Sequence, residues 1–246
     1  MKKDLLLKKN ILITGVTSGI GKSLTKYLSK HGANILMLSK DESKLDVLYD
    51  EIVKKYNTDP YIFKCDLQKL NEDSALEINK IINENYSGID AVIFNAAALD
   101  KMSHIESYDL TTWEKILKIN LTSIFLLAKN LIPLLKESSN PRIIFTTSSV
   151  GRKGKAFWGA YSVSKAGLNA LSEIIADEVE SVSNIKVFNF DPKATRSKMR
   201  SLAYPAENPS TIKDPLKLMD YYLWMLSEDS SSSNKIHIEY RSDEFR

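Results

Sequence analysis

The chain has 246 residues, 43% of them hydrophobic and 26% charged, with a net charge of +3. These values suit a globular protein with a sizeable core and exclude a low-complexity or strongly polyionic chain. The mildly basic sequence pI, near 8.7, does not by itself indicate nucleic acid, and no aromatics interleave a basic stripe as single-strand binders require.

Cys65 is the single cysteine; with no partner for an internal disulfide it fits a reducing compartment and reads as a small core hydrophobe. The opening "MKKDLLLKKN" places only three apolar residues before Lys8 and Lys9, too few for a signal-peptide core. No unbroken apolar run reaches the roughly 18 residues of a membrane span. The expected setting is the cytoplasm, with neither a membrane nor a nucleic-acid partner. No Pro/Gly/Ser-rich linker divides the chain, and its one low-complexity run, "SEDSSSSN" (227 to 234), lies near the end. Residues 1–246 are therefore expected to form a single domain.

In chain order, "NILIT" (10 to 14) reads as a first strand, and "TGVTSGIGKSL" leads from it into a helical pattern at 19 to 31. Gly15, Gly19 and Gly21 let the backbone turn tightly and approach a pyrophosphate, which then sits on free N–H groups at the helix N-terminus. The second strand, "NILMLS" (34 to 39), ends at Ser39 and Lys40, where an NAD-binding protein usually carries an acid for the ribose hydroxyls. A lysine there attracts a 2′-phosphate and favours NADP(H); Asp41 works against that reading, and a solvated strand-end lysine is the alternative.

Helical patterns at 42 to 56, 71 to 86, 111 to 136, 160 to 183 and 213 to 227 then alternate with strand-like runs at 61 to 65, 90 to 95, 142 to 148, 185 to 190 and 235 to 240. The alternation predicts an α/β fold, a doubly wound Rossmann domain whose parallel seven-stranded sheet carries helices on both faces. Ligands collect beyond the carboxyl ends of such strands. The helix predicted over 111 to 136 is densely apolar, with Trp113, Ile116, Leu117, Phe125, Leu127 and Leu131.

Within "GAYSVSKAG" (159 to 167), Tyr161 and Lys165 stand one helical turn apart on one face. An ammonium beside a phenol favours the phenolate and suits it to general acid–base work. Spacing alone also permits an ordinary helix with a half-buried tyrosine and a solvated lysine.

Taken together, these motifs resemble the short-chain dehydrogenases/reductases. The TGxxxGxG motif appears as Thr14 to Gly21, the adenine-contacting aspartate as Asp66 in "CDL", and the NNAG stretch as "FNAA", which keeps Asn95 but has Phe94 and Ala97 in place of Asn and Gly. The helix asparagine is Asn120, the YxxxK pair is Tyr161 and Lys165, and Ser148 stands 13 residues before the tyrosine; Ser149 is a rival, although SxxG fits Ser148 with Gly151. The resemblance runs from about residue 9 to 227, and "SSVGRKGKAFWGAY" and "TRSKMRSLAYPAENP" look closest to a bacterial subgroup of YciK-like oxidoreductases.

The resemblance implies catalytic roles for Asn120, Ser148, Tyr161 and Lys165. Tyr161 would exchange the proton, Lys165 would lower the phenol pKa and bind the nicotinamide ribose, Ser148 would hold the substrate oxygen, and Asn120 would hold a water of the proton relay. It implies a cofactor site of Thr14, Gly15, Ser18, Gly19, Ile20, Gly21, Ser39, Lys40, Asp66, Leu67, Asn95, Ala96, Ala97, Tyr161, Lys165, Pro192 and Ser197. No metal is expected, and two family helices, here 111 to 136 and 160 to 183, pack against a partner's, giving a homodimer.

Two departures and a charged rim stand out. Lys193 replaces the glycine of the family Pro-Gly, which costs roughly 1 kcal/mol or more if the position needs positive φ. The family tail ending in Asp-Gly-Gly is replaced by "NKIHIEYRSDEFR", which speaks against a tetramer. Arg152, Lys153, Lys155, Lys193, Arg196, Lys198 and Arg200 form two basic loops without an intervening acid, either a solvated surface or a rim that attracts an anionic substrate. Residues 193–215 form a lid or a packed loop, with Met199, Leu202 and Tyr204 ahead of Pro205 and Pro209.

The expected function is NADP(H)-dependent hydride transfer to or from a carbonyl or alcohol, with a 3-oxoacyl thioester as one substrate option. The alternative is an NADP(H)-binding regulator with little catalytic activity, for which Lys193 is the one supporting feature.

Overall fold

A computed structural model describes residues 5–86 and 88–241. Strands β1 (Asn10–Thr14), β2 (Asn34–Ser39), β3 (Tyr61–Lys64), β4 (Ala91–Phe94), β5 (Arg142–Thr146), β6 (Lys186–Asp191) and β7 (His237–Glu239) form one sheet in the order β3-β2-β1-β4-β5-β6-β7. Every neighbouring pair is parallel. Successive side chains of each strand enter opposite layers. Ile11, Ile13, Ile35, Met37 and Ile93 pack beneath α1 (Gly19–Lys30), α2 (Glu42–Lys55) and α8 (Met219–Leu226). Leu12, Leu36, Leu38, Val92 and Phe94 pack beneath α3 (Glu72–Tyr86), α5 (Ser123–Leu135) and α6 (Gly159–Glu180). Because both faces are covered, the strands read as unbroken apolar runs.

The helix predicted over 111 to 136 is instead α4 (Leu110–Leu117), a π turn (Lys118–Thr122) and α5. Within the π turn Asn120 is fully buried and ties itself to residue 98: its Oδ1 accepts from Ala98 N at 2.7 Å and its Nδ2 donates to Ala98 O at 2.9 Å. A one-residue widening leaves the apolar periodicity almost unchanged, so the pattern does not announce it. The pattern over 213 to 227 likewise divides into a 3₁₀ turn (Pro215–Leu218), capped where Leu216 N donates to Asp214 Oδ1 at 2.8 Å, followed by α8.

The serine-rich run is ordered by Arg142, which is 1% exposed at the start of β5. Its guanidinium donates to the carbonyls of Pro141, Met225 and Ser227, each at 3.0 Å, and to the hydroxyls of Ser230 (3.3 Å) and Ser231 (2.7 Å). These acceptors satisfy a buried charge whose desolvation lowers its pKa to about 10. Cys65 is half-buried, packed against the core and also lining the cleft described below; burial pushes its thiol up to about 11.

Candidate active site

Strand order reverses at β1 and β4, and a cleft of about 860 Å³ opens beyond their carboxyl ends. At one wall the loop after β1 folds onto β4. Gly15 has φ +74°, and a Cβ on it would lie 2.9 Å from Ala96 Cα; a Cβ on Gly21 would lie 2.2 Å from Gly15 O. Only glycine permits both approaches. Thr14 Oγ1 accepts from the N–H groups of Asn95 and Ala96, each at 3.0 Å, and Asn95 Nδ2 donates to Thr14 O at 3.1 Å. Thr14 and Gly21 thus lie behind the cleft surface and hold its shape, while Gly15, Ser18, Gly19 and Ile20 line it.

The cleft continues along Ser39, Lys40, Asp66 and Leu67 on one side and Asn95, Ala96, Ala97, Pro192 and Ser197 on the other. A glycine cradle at a helix start, opening into an elongated cleft with exposed lysine at its far end, fits a dinucleotide. Asp41 does not oppose a phosphate there: its carboxylate caps α2, accepting from Lys44 N at 3.3 Å, and pairs with the Lys44 ammonium, which holds its pKa below the ordinary value. Lys22, Lys44 and Lys198 join Lys40 in the lining.

The other end of the cleft carries Ser148, Tyr161 and Lys165. After β5 the chain makes a 3₁₀ turn (Ser149–Gly151), and a Cβ on Gly151 would lie 2.8 Å from Lys165 Cβ, so this turn rests directly on α6. Ser148 and Ser149 both line the cleft there, and of the two it is Ser148 that acts on the Tyr161 phenol. Lys165 is 2% exposed; its Nζ donates to Thr146 O at 2.7 Å and lies 5.8 Å from the Tyr161 ring centroid.

Here one expectation needs correction. The Tyr161 phenol is raised, not lowered: burial raises it most, the Asp191 carboxylate raises it further, and the Ser148 hydrogen bond opposes both. Lys165 is itself brought down to about 8 by burial. Burial thus sets the direction, and the Tyr161 phenol is held protonated at neutral pH.

Asn120 is also placed differently from expectation. It does not line the cleft. Its side-chain amide is engaged with Ala98 and with Ser164 Oγ at 3.1 Å, which fixes the segment after β4 against α6.

Four of the seven rim cations are paired with acids that lie outside the two basic groups. Arg152 pairs with Glu239, Arg196 with Asp214, and Arg200 with Glu207 at 2.6 Å. Lys193 Nζ lies 3.1 Å from Asp191 Oδ2 and 2.7 Å from Glu239 Oε2. Lys193 has φ +54°, the left-handed conformation expected of the glycine it replaces, and its N–H donates to Asp191 Oδ1 at 2.8 Å. The loop thus keeps its conformation with a lysine stapled in place, and the one feature favouring an inert regulator loses its force.

Asp191 and Trp158 line the cleft without a motif to announce them, and Lys198 and Tyr204, expected at the rim and in the lid, line it too. Asp191 ends an apolar strand, and only the fold brings its 1%-exposed carboxylate toward Tyr161. Lys198 opens and Tyr204 follows α7 (Lys198–Ala203), a short helix inside the segment expected to be a lid or loop; Ser197 caps it by accepting from Arg200 N at 3.1 Å.

A family model described as short chain dehydrogenase matches residues 9–208. The uncharacterized oxidoreductase YciK of Escherichia coli K12 is 33% identical over 229 residues, 93% of this chain and 90% of its own. A solved short-chain dehydrogenase from Shigella flexneri, complexed with NADP, is similar at a TM-score of 0.93 with 32% identity, covering 97% of this chain and 99% of that one. The corresponding protein from Escherichia coli CFT073, complexed with NADPH, gives the same values, a TM-score of 0.93 and 32% identity over 97% and 99% of the two chains. The chain belongs to the short-chain dehydrogenase/reductase family of oxidoreductases.

Proposed function

We propose that this protein is an NADP(H)-dependent oxidoreductase acting on a small carbonyl or alcohol substrate. One observation carries the reading: Ser148, Tyr161 and buried Lys165 line the same cleft that the glycine loop opens. Preference for NADP(H) rests on Lys40 and its lysine neighbours and on the engaged Asp41, and the relatives crystallised with NADP and NADPH support it. When bound, the dinucleotide supplies or accepts the hydride.

The protein's part is to hold the substrate oxygen and move one proton. Ser148 donates a hydrogen bond to the carbonyl oxygen and fixes it beside the Tyr161 hydroxyl. As negative charge develops on that oxygen, Tyr161 gives up its proton; a raised phenol is still a stronger acid than the alcohol formed. The Lys165 ammonium, anchored on Thr146 O, offsets the phenolate left behind. In the oxidative direction the same phenolate takes the proton back. Asn120 is a positioning residue that keeps the segment after β4 against α6.

A homodimer, a cytoplasmic location suited to a lone cysteine, and a single domain with residues 193–215 as lid complete the proposal. A 3-oxoacyl thioester is the weaker substrate option, since four of the rim's seven cations are paired with acids. A screen of NADPH oxidation across ketones, aldehydes and 3-oxoacyl thioesters tests the reading. Turnover of at least one class is expected, whereas saturable NADPH binding without oxidation by any of them contradicts it.

A further inference from the structure

Three aromatic rings run outward from the proton-transfer group. Trp158 lies with its ring centroid 5.5 Å from that of Tyr161 and 6.0 Å from that of Tyr204, at interplanar angles of 53° and 49°. All three line the cleft. A substrate oxygen held between Ser148 and Tyr161 brings the rest of the molecule alongside the Trp158 and Tyr204 faces.

Tyr204 is held in place rather than left free on a loop. The Arg200 guanidinium carbon sits 3.8 Å from its ring centroid, and Glu207 grips that guanidinium through two hydrogen bonds of 2.6 Å. Lys155 Nζ donates to the Tyr204 hydroxyl at 3.2 Å, tying the loop after Ser148 to the chain leaving α7. Two consequences follow. The wall has a fixed ring orientation, so it discriminates by shape as well as by apolarity. The Lys155–Tyr204 tie joins the two loops at the mouth, and Arg200, already paired with Glu207, offers little attraction to an anionic arm.

Resting on the redox reading above, we propose that the mouth is an aromatic slot, with Trp158 and Tyr204 as specificity-determining side chains, and that the substrate class is a flat, neutral, ring-conjugated ketone or its alcohol. The flat ring lies against the preset aromatic faces, and a puckered saturated ring of the same carbon count makes poorer contact.

The test compares kcat/KM at saturating NADPH for acetophenone, cyclohexyl methyl ketone and acetoacetyl coenzyme A. The ratio of the first two is measured in the wild type and in Trp158→Leu, Tyr204→Leu and Tyr204→Phe; comparing ratios between proteins cancels the intrinsic reactivity of each ketone. Each leucine variant is expected to lower the aryl-to-cyclohexyl ratio by roughly tenfold, the size of one lost aromatic pair, while Tyr204→Phe retains it. An unchanged ratio in both leucine variants, or thioester turnover exceeding both ketones, overturns the slot while leaving the redox reading intact. No NADPH oxidation with any of the three contradicts the redox reading instead. The slot is then judged by equilibrium binding of the two ketones to NADPH-loaded protein, where equal affinities overturn it and a flat-ring preference lost in the leucine variants upholds it.

Discussion

Lys165 is where burial and function conflict most openly. Its pKa is brought to about 8 from an ordinary 10.5 by desolvation, so between those values the unfolded chain holds a proton that the folded chain has released. Stability contributed by this group therefore rises with pH across that window. Lys165→Met removes the dependence, so urea titrations from pH about 8 to about 10 are expected to show the wild type gaining on the variant. Parallel curves would place the lysine in contact with more water than its burial implies. At the other end of the cleft, Lys40→Ala should weaken NADPH more than NADH by roughly tenfold or more, the loss of a charge-assisted hydrogen bond of about 1.5–3 kcal/mol. Equal losses for the two cofactors by fluorescence titration would show that Lys40 does not contact the 2′-phosphate. Tyr161, Lys165 and Ser148 were legible in the sequence because helix spacing and a serine at fixed distance are local signals. The direction of the Tyr161 shift was not, because it depends first on how deeply packing buries the phenol and then on Asp191, 30 residues away and brought near by the packing of β6 beside α6.

At the scale of elements, the strands were legible because a sheet covered on both faces demands apolar runs, and β1 through β6 fall where those runs lie. The π turn and α7 were not, since one is a single-residue irregularity within a continuous apolar pattern and the other is too short to establish a period. The turn between β6 and α7 gives a sharper test. Lys193 holds φ +54° there, with its ammonium on Asp191 and Glu239. Lys193→Ala keeps the backbone strain and removes both ion pairs, whereas Lys193→Gly removes the pairs but relieves the strain. The glycine variant should therefore be more stable than the alanine variant by about 1 kcal/mol, read from chemical denaturation. An alanine variant as stable as the glycine one would show that this turn relaxes out of the left-handed region.

For the whole molecule, the notable surface is the helical wall formed by α4, α5 and α6. The stretch Leu110–Leu135 has a mean hydropathy of 1.3 over its most apolar 18 residues, yet only 44% of that window is buried within the subunit. Leu110, Phe125, Val163 and Ile174 stand 68%, 47%, 47% and 53% exposed on these helices. Burying that surface against a second copy is expected to give a two-fold dimer. Light scattering at micromolar concentration should report twice the chain mass, and Phe125→Glu should shift it toward the monomer; a wild-type monomer would refute the assembly. The basic rim shows the limit of reading charge along the chain: two cationic groups with no acid inside either became, once folded, a surface where Asp191, Glu207, Asp214 and Glu239 engage four of the seven cations.

The central claim is that this cleft moves a hydride with Tyr161 as the proton donor. The most direct measurement is single-turnover loss of NADPH absorbance with a saturating carbonyl substrate, in the wild type and in Tyr161→Phe, alongside the NADPH dissociation constant of each. The variant keeps the ring and loses the hydroxyl, so the rate should fall by at least about 10²-fold while NADPH affinity stays within about twofold. A Tyr161→Phe variant that turns over at a near wild-type rate would contradict the account.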